Sequence, residues 1–155
     1  MTDLGGFRPQ DVEIYRPYPD EIPWDLLALA EPDEARLLET SEADYMRVAK
    51  FDDRAIGAYV ILPESPTLYV LRNLVVDPAW RRRGLGRWLL GHAIGISESK
   101  GAREILVRSA PRSARGLFER IGFRPESEDL REDADLREDA DLREGADLRL
   151  VLMPE

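Results

Sequence analysis

The chain has 155 residues, 43% of them hydrophobic and 34% charged, which fits one globular domain over residues 1–155 and excludes two of ordinary size. It has no cysteine, so disulfides and thiol-based nucleophiles or metal ligands are excluded, and no metal is expected. A formal net charge of −9 argues against general nucleic-acid binding, and no apolar run reaches the length of a membrane span.

Residues 12–15 alternate like a short first strand. Pro17, Pro19 and Pro23 then interrupt the chain, and Trp24-Asp25-Leu26-Leu27-Ala28-Leu29 reads as a short helix opened by Pro23. Residues 32–38 read as a second helical piece with acid in its first turn. Residues 44–51 and 55–62 are strand-like, and Asp52-Asp53-Arg54 between them predicts a hairpin. After a turn at Glu64-Ser65-Pro66, residues 67–76 form an apolar, β-branched strand that Asp77-Pro78 stops.

Three arginines and a Gly-x-Gly come next, followed by Leu85, Trp88, Leu89, His92, Ala93 and Ile96 at helical spacing, with Lys100-Gly101 as a stop. Residues 104–108 are a buried strand, and the intervening helix implies that it runs parallel to residues 67–76. Residues 111–121 form a helix with Ala114, Leu117, Phe118 and Ile121 on one face, ended by Gly122. Phe123-Arg124-Pro125 begins a short strand, and residues 148–153 are the last. Between these two, at about 127–146, a hexapeptide, Asp-Leu-Arg-Glu-Asp-Ala, recurs with little change. A six-residue period forms no single apolar stripe on a helix, so the repeats read as a solvated insert or frayed helix. A protein-binding acidic arm is the second reading.

A helix N-terminus offers unpaired N–H groups and a partial positive charge. Gly84 and Gly86 keep side chains away from it, and Arg81, Arg82, Arg83 and Arg87 add cations that can pair with phosphate. From Arg72 to Arg124 there are 12 Lys or Arg against 4 Asp or Glu, so a basic segment sits inside an acidic chain. The segment reads as a site for a phosphorylated ligand; the plainer alternative is a solvated surface turn. A nucleotide P-loop needs Lys-Ser or Lys-Thr where Arg87-Trp88 stands, and a dinucleotide fingerprint needs a third glycine where Leu89 stands. His92, the sole histidine, lies in the apolar stripe, where packing at the core edge competes with a triad role.

Arg81-Arg82-Arg83-Gly84-Leu85-Gly86 resembles the acyl-coenzyme A loop of the GNAT acetyltransferase superfamily. Leu74-Val75-Val76-Asp77-Pro78 before it, and Ala114-Arg115-Gly116-Leu117-Phe118-Glu119-Arg120-Ile121-Gly122-Phe123 after it, extend the resemblance over residues 67–123. It implies an α/β fold (an α+β sandwich) with a mixed, mostly antiparallel central sheet and helices on both faces. It also implies an N-acetyltransferase with acetyl-CoA as co-substrate and no metal. The cofactor residues so implied are Leu74, Val75, Val76, Arg81, Arg82, Arg83, Gly84, Leu85, Gly86, Arg87 and Phe118. The main-chain N–H of Val75 or Val76 would polarise the thioester carbonyl.

Two positions depart from the family pattern. Phe118 occupies the slot where many relatives carry a proton-donating tyrosine, and Pro111 stands where many carry an asparagine. Residues 67–76 contain no carboxylate to act as base; Tyr69, Ser109, Tyr45 and Glu21 remain as polar candidates, none singled out by spacing. Asp20, Glu21, Asp25 and Glu31 near Tyr18 and Trp24 suit a cationic amine, or form an ordinary acidic surface. The expected acceptor is a small-molecule amine. A protein N-terminus or lysine is the alternative, as is a catalytically weak acyl-CoA-binding module. No nucleic-acid or membrane partner is expected, a homodimer is allowed, and a cytoplasmic location is expected because no basic start leads into an apolar stretch.

Overall fold

The computed structural model describes residues 8–40, 43–125 and 145–152. Most of the repetitive stretch expected at 127–146 lies outside the described residues. The elements are β1 (Glu13–Tyr15), α1 (Trp24–Ala28), α2 (Glu34–Thr40), β2 (Met46–Phe51), β3 (Arg54–Pro63), β4 (Leu68–Val76), α3 (Leu85–Ser99), β5 (Glu104–Pro111), α4 (Arg112–Ile121), β6 (Arg124–Pro125) and β7 (Gly145–Val151). The strands hydrogen-bond in the order β1-β2-β3-β4-β5-β7-β6. β4 and β5 are parallel, while β1–β2, β2–β3, β5–β7 and β6–β7 are antiparallel, so the α/β fold has a mixed, mostly antiparallel sheet.

The chain forms two compact units. The first runs up to Leu62 and resumes over Arg72–Ile96; the second holds Pro63–Leu71 and the chain from Ser97 onward. In the first, the β2–β3 turn places Asp52 and Asp53 at φ 53° and 60°, the left-handed pair that a two-residue hairpin needs and that aspartate tolerates. Ile56, Ala58, Tyr59 and Val60 of β3 are fully buried because helices cover both faces. On one face, Leu26 and Leu27 of α1 and Leu37 of α2 pack with Val48, Ala58, Val60 and Val75. Five residues are too few for an independent helix. α1 is held by those leucines, each contributing about 1.5–3 kcal/mol at most.

α3 covers the other face with Leu85, Leu89 and Ala93, all buried. It lies close because Gly57 has no side chain: a Cβ there would stand 2.7 Å from Leu89 Cδ1 and 3.3 Å from the Val75 carbonyl oxygen. Beside it the Tyr59 hydroxyl and His92 Nδ1 are 2.7 Å apart. Tyr59 is fully buried, so its O–H needs an acceptor, and neutral His92 supplies one. Burial lowers the His92 pKa and the positive charge of Arg47 lowers it further; burial raises that of Tyr59. His92 is therefore a core-edge packing residue with a phenol for a partner.

In the second unit β4 and β5 pair from Leu68↔Glu104 to Leu71↔Val107. β5 then bulges and pairs onward with β7 as far as Pro111↔Gly145. That extension is why the last strand begins at Gly145, three residues ahead of the expected start, and takes up the end of the third repeat. Phe118 of α4 is buried edge-on to Phe123, with ring centroids 5.3 Å apart. Gly101 and Gly122, at φ 98° and 127°, end α3 and α4 where the sequence places their stops.

Two outcomes follow for stability. Gly57→Val is expected to cost about 1–3 kcal/mol by overpacking against α3; an unchanged urea midpoint would show that the helix has room to spare. His92 binds its proton less tightly folded than unfolded, so its contribution is complete above the ordinary value of 6.5 and is lost as pH falls from there toward the lowered folded value. His92→Leu should flatten that part of a stability–pH curve, and an identical slope in both proteins would refute the assignment.

Candidate active site

β4 ends because Asp77 changes the direction of the chain. Its N–H donates to the Ile56 carbonyl at 2.8 Å, completing the pairing with β3, and its carboxylate accepts from Ala79 N–H at 2.9 Å. That cap opens a single 3₁₀ turn, Pro78–Trp80, with Pro78 at its first position. Trp80 is buried edge-on to Phe51, centroids 5.4 Å apart, which pins the turn to the end of the β2–β3 hairpin. Arg81 Nε donates back to the Val76 carbonyl at 3.1 Å. The chain then reaches α3 through Arg82 and Gly84 at φ 63° and 82°. A Cβ at Gly84 would lie 3.3 Å from Pro9 Cγ, so that position has little lateral room besides its left-handed backbone.

This geometry leads the chain into the first turn of a fifteen-residue helix. Around it Arg81, Arg82 and Arg87 are exposed and Arg83 is half-buried. Among the described residues neither Arg82 nor Arg87 is held in an ion pair. Unpaired N–H groups, a helix dipole and uncommitted guanidinium groups make a donor set suited to a diphosphate.

The other expected site residues divide. Leu74 and Val76 are half-buried, and Val75 is buried in the cluster with α1 and α2. Tyr69 is buried on β4 and Tyr45 packs against the α1–α2 cluster, while Ser109 lies on β5. Glu21 is spent on a turn, its Oε1 accepting from Tyr18 N–H at 3.0 Å, and Glu31 pairs with Arg36 at 3.3 Å. Trp24 and Asp25 are brought together: with Ile22, Pro23, Leu26, Leu29, Ala55 and Asp77 they line an open groove of about 680 Å³. Among the described residues that line it, Asp25 and Asp77 are the charged ones.

Two residues were missed by sequence reasoning. Trp80 as an anchor had no local signal, because its partner is on another strand. Asn73 is buried within β4, and its Nδ2 donates to the Leu27 carbonyl at 3.4 Å. A lone amide inside an apolar strand was the available signal.

A strand, a capped turn with exposed arginines and the start of a fifteen-residue helix follow one another at the end of the sheet. A profile of the GNAT acetyltransferase domain matches residues 42–125, more than half of the chain, so the chain belongs to that family. It is 28% identical over 120 residues to the uncharacterised N-acetyltransferase YvbK of Bacillus subtilis, covering 76% of this chain and 77% of that protein. It is 35% identical over 81 residues to the ribosomal protein bS18-alanine N-acetyltransferase of Salmonella typhimurium, covering 51% of this chain and 55% of the relative. A GNAT acetyltransferase from Elizabethkingia anophelis with acetyl-CoA bound shares the fold, with a TM-score of 0.72 at 20% identity over 92% of this chain and 99% of that one.

Gly84→Glu, which adds a carboxylate at a left-handed position beside the helix end, is expected to lower coenzyme A affinity at least ~100-fold. Alanine at Arg81, Arg82 and Arg87 together should weaken it ~10–100-fold and flatten its salt dependence. Calorimetric titration reads both, and full affinity in either variant would remove the loop from the site.

Proposed function

We propose that this chain transfers the acetyl group of acetyl-CoA to a primary amine of a small molecule. The loop of Arg81, Arg82, Arg83, Gly84, Leu85, Gly86 and Arg87 holds the diphosphate. The pantetheine arm runs along the main chain of Leu74, Val75 and Val76, beyond the residue where the β4–β5 ladder stops. The observation that carries this reading is the arginine-lined helix N-terminus on a chain of the GNAT family.

The coenzyme supplies an activated acetyl thioester. The amine's lone pair attacks the carbonyl carbon, a C–N bond forms and the C–S bond breaks. Sulfur leaves with the electron pair, and the proton shed by nitrogen balances the thiol. The protein's share is placement of the two reactants and an N–H of Val75 or Val76 toward the carbonyl oxygen. Phe118, buried against Phe123, has no proton to give, so sulfur departs as thiolate, tolerable for a thiol of pKa about 8.5. The groove with Trp24, Asp25 and Asp77 supports a cationic acceptor with an apolar body. A peptide N-terminus is the second reading, favoured by the likeness to a ribosomal-protein alanine acetyltransferase.

Thiol release from acetyl-CoA, measured against small primary amines, an alanine-led peptide and a lysine peptide, should be fastest with the small amines. Phe118→Tyr should raise the rate about tenfold by restoring a general acid. Tight binding of coenzyme A with every amine left unmodified would make the chain a binding module instead.

A further inference from the structure

Asn73 stands out from every other residue of the β4 interior. It is 5% exposed, its Nδ2 donates to Leu27, and no donor among the described residues reaches its Oδ1, which is itself buried. The amide orientation is set by that one bond, because turning it over would set Oδ1 against the Leu27 carbonyl, acceptor to acceptor. A buried acceptor left unmet is a cost that a leucine of similar shape would avoid. Its position gives that lone pair a use. Asn73 immediately precedes Leu74, and its partner Leu27 is the neighbour of Leu26, which lines the groove of Trp24 and Asp25.

We propose that Asn73 Oδ1 accepts an N–H from the incoming amine and so orients the nucleophile. This rests on reading the main chain of Leu74, Val75 and Val76 as the seat of the thioester. A neutral primary amine keeps two N–H bonds and one lone pair. Donating one N–H to a fixed carbonyl oxygen restricts the directions in which the lone pair can face, and orientation of that kind is a major source of rate. An amide oxygen is too weak a base to take the proton, which leaves with the solvent or the thiol. The contact also favours an acceptor with at least two N–H bonds in its attacking form, so primary amines should react better than secondary ones.

The test begins with the unmodified protein loaded with coenzyme A. Titration with 2-phenylethylamine, with spermidine and with an alanine-led peptide should shift the side-chain amide resonance of Asn73, identified by its loss in Asn73→Asp. No shift with any of the three at millimolar concentration overturns the inference, whether or not turnover is seen. A shift in the coenzyme A complex, with no thiol released when the same amine is given with acetyl-CoA, leaves this contact standing and sinks the transferase reading. Kinetics supply the second arm. Asn73→Leu removes the acceptor and should raise the amine KM about tenfold with coenzyme A affinity unchanged, whereas Asn73→Asp keeps an oxygen there and should stay within a few-fold of the parent. Both variants lose the Nδ2 donor, so equal impairment would mean that Asn73 only ties α1 to the sheet. An unchanged amine KM in Asn73→Leu would overturn the contact outright.

Discussion

The hydrogen bond from Asp77 N–H to the Ile56 carbonyl marks the point on which the site depends. Up to that residue β4 is a strand fixed by its neighbour; beyond it the chain is free to turn and to present N–H groups. The Asp77 carboxylate uses that freedom at once by capping the turn, and Trp80 secures the turn to Phe51. A loop whose two ends are held by a ladder and by a helix loses little further entropy when it takes a ligand. Gly57 belongs to the same arrangement from below. It lets Leu89 and Leu85 of α3 pack directly on the β3 backbone rather than a side chain's width away.

Electrostatics sets the loop apart from the rest of the chain. The chain as a whole is acidic, yet the segment from Arg72 to Arg124 is basic. Among the described residues Arg82 and Arg87 of the loop are in no ion pair with a carboxylate, in contrast to Arg108, which divides itself between Glu64 and Asp147 at 3.4 and 3.8 Å. Surface pairs of that kind contribute little to stability. A guanidinium group outside such a pair can bind an anion without first breaking one.

The parts of this molecule legible in its sequence were those set by short-range chemistry. Asp-Pro at the end of β4, the periodic stripe of α3, and Gly101 and Gly122 at φ 98° and 127° are decided within a few residues. The family was legible for the same reason, since the stretch that carries the resemblance, from Leu74 to Gly86, is contiguous and lies within the matched residues 42–125. What the sequence concealed depends on distant partners. Gly-Ala-Asp is a poor strand former, and β7 begins there only because the bulged end of β5 offers it a ladder. Trp80 reads as one more apolar residue until Phe51 is beside it. Asn73 reads as a polar interruption, and the carbonyl that explains half of it lies 46 residues away.

The short helix α1 connects the groove of Trp24 and Asp25 to the stability of the core. Five residues do not hold a helix by themselves, so the position of Trp24 and Asp25 is whatever the burial of Leu26, Leu27 and Leu37 makes it. The groove wall is therefore an extension of the hydrophobic core, and a change in that core moves the groove before it unfolds the protein. The phosphate loop is different, because caps, a ladder and an aromatic anchor hold it within its own stretch of chain. In such an arrangement, the loop tolerates substitution in the α1–α2 cluster better than the groove wall does.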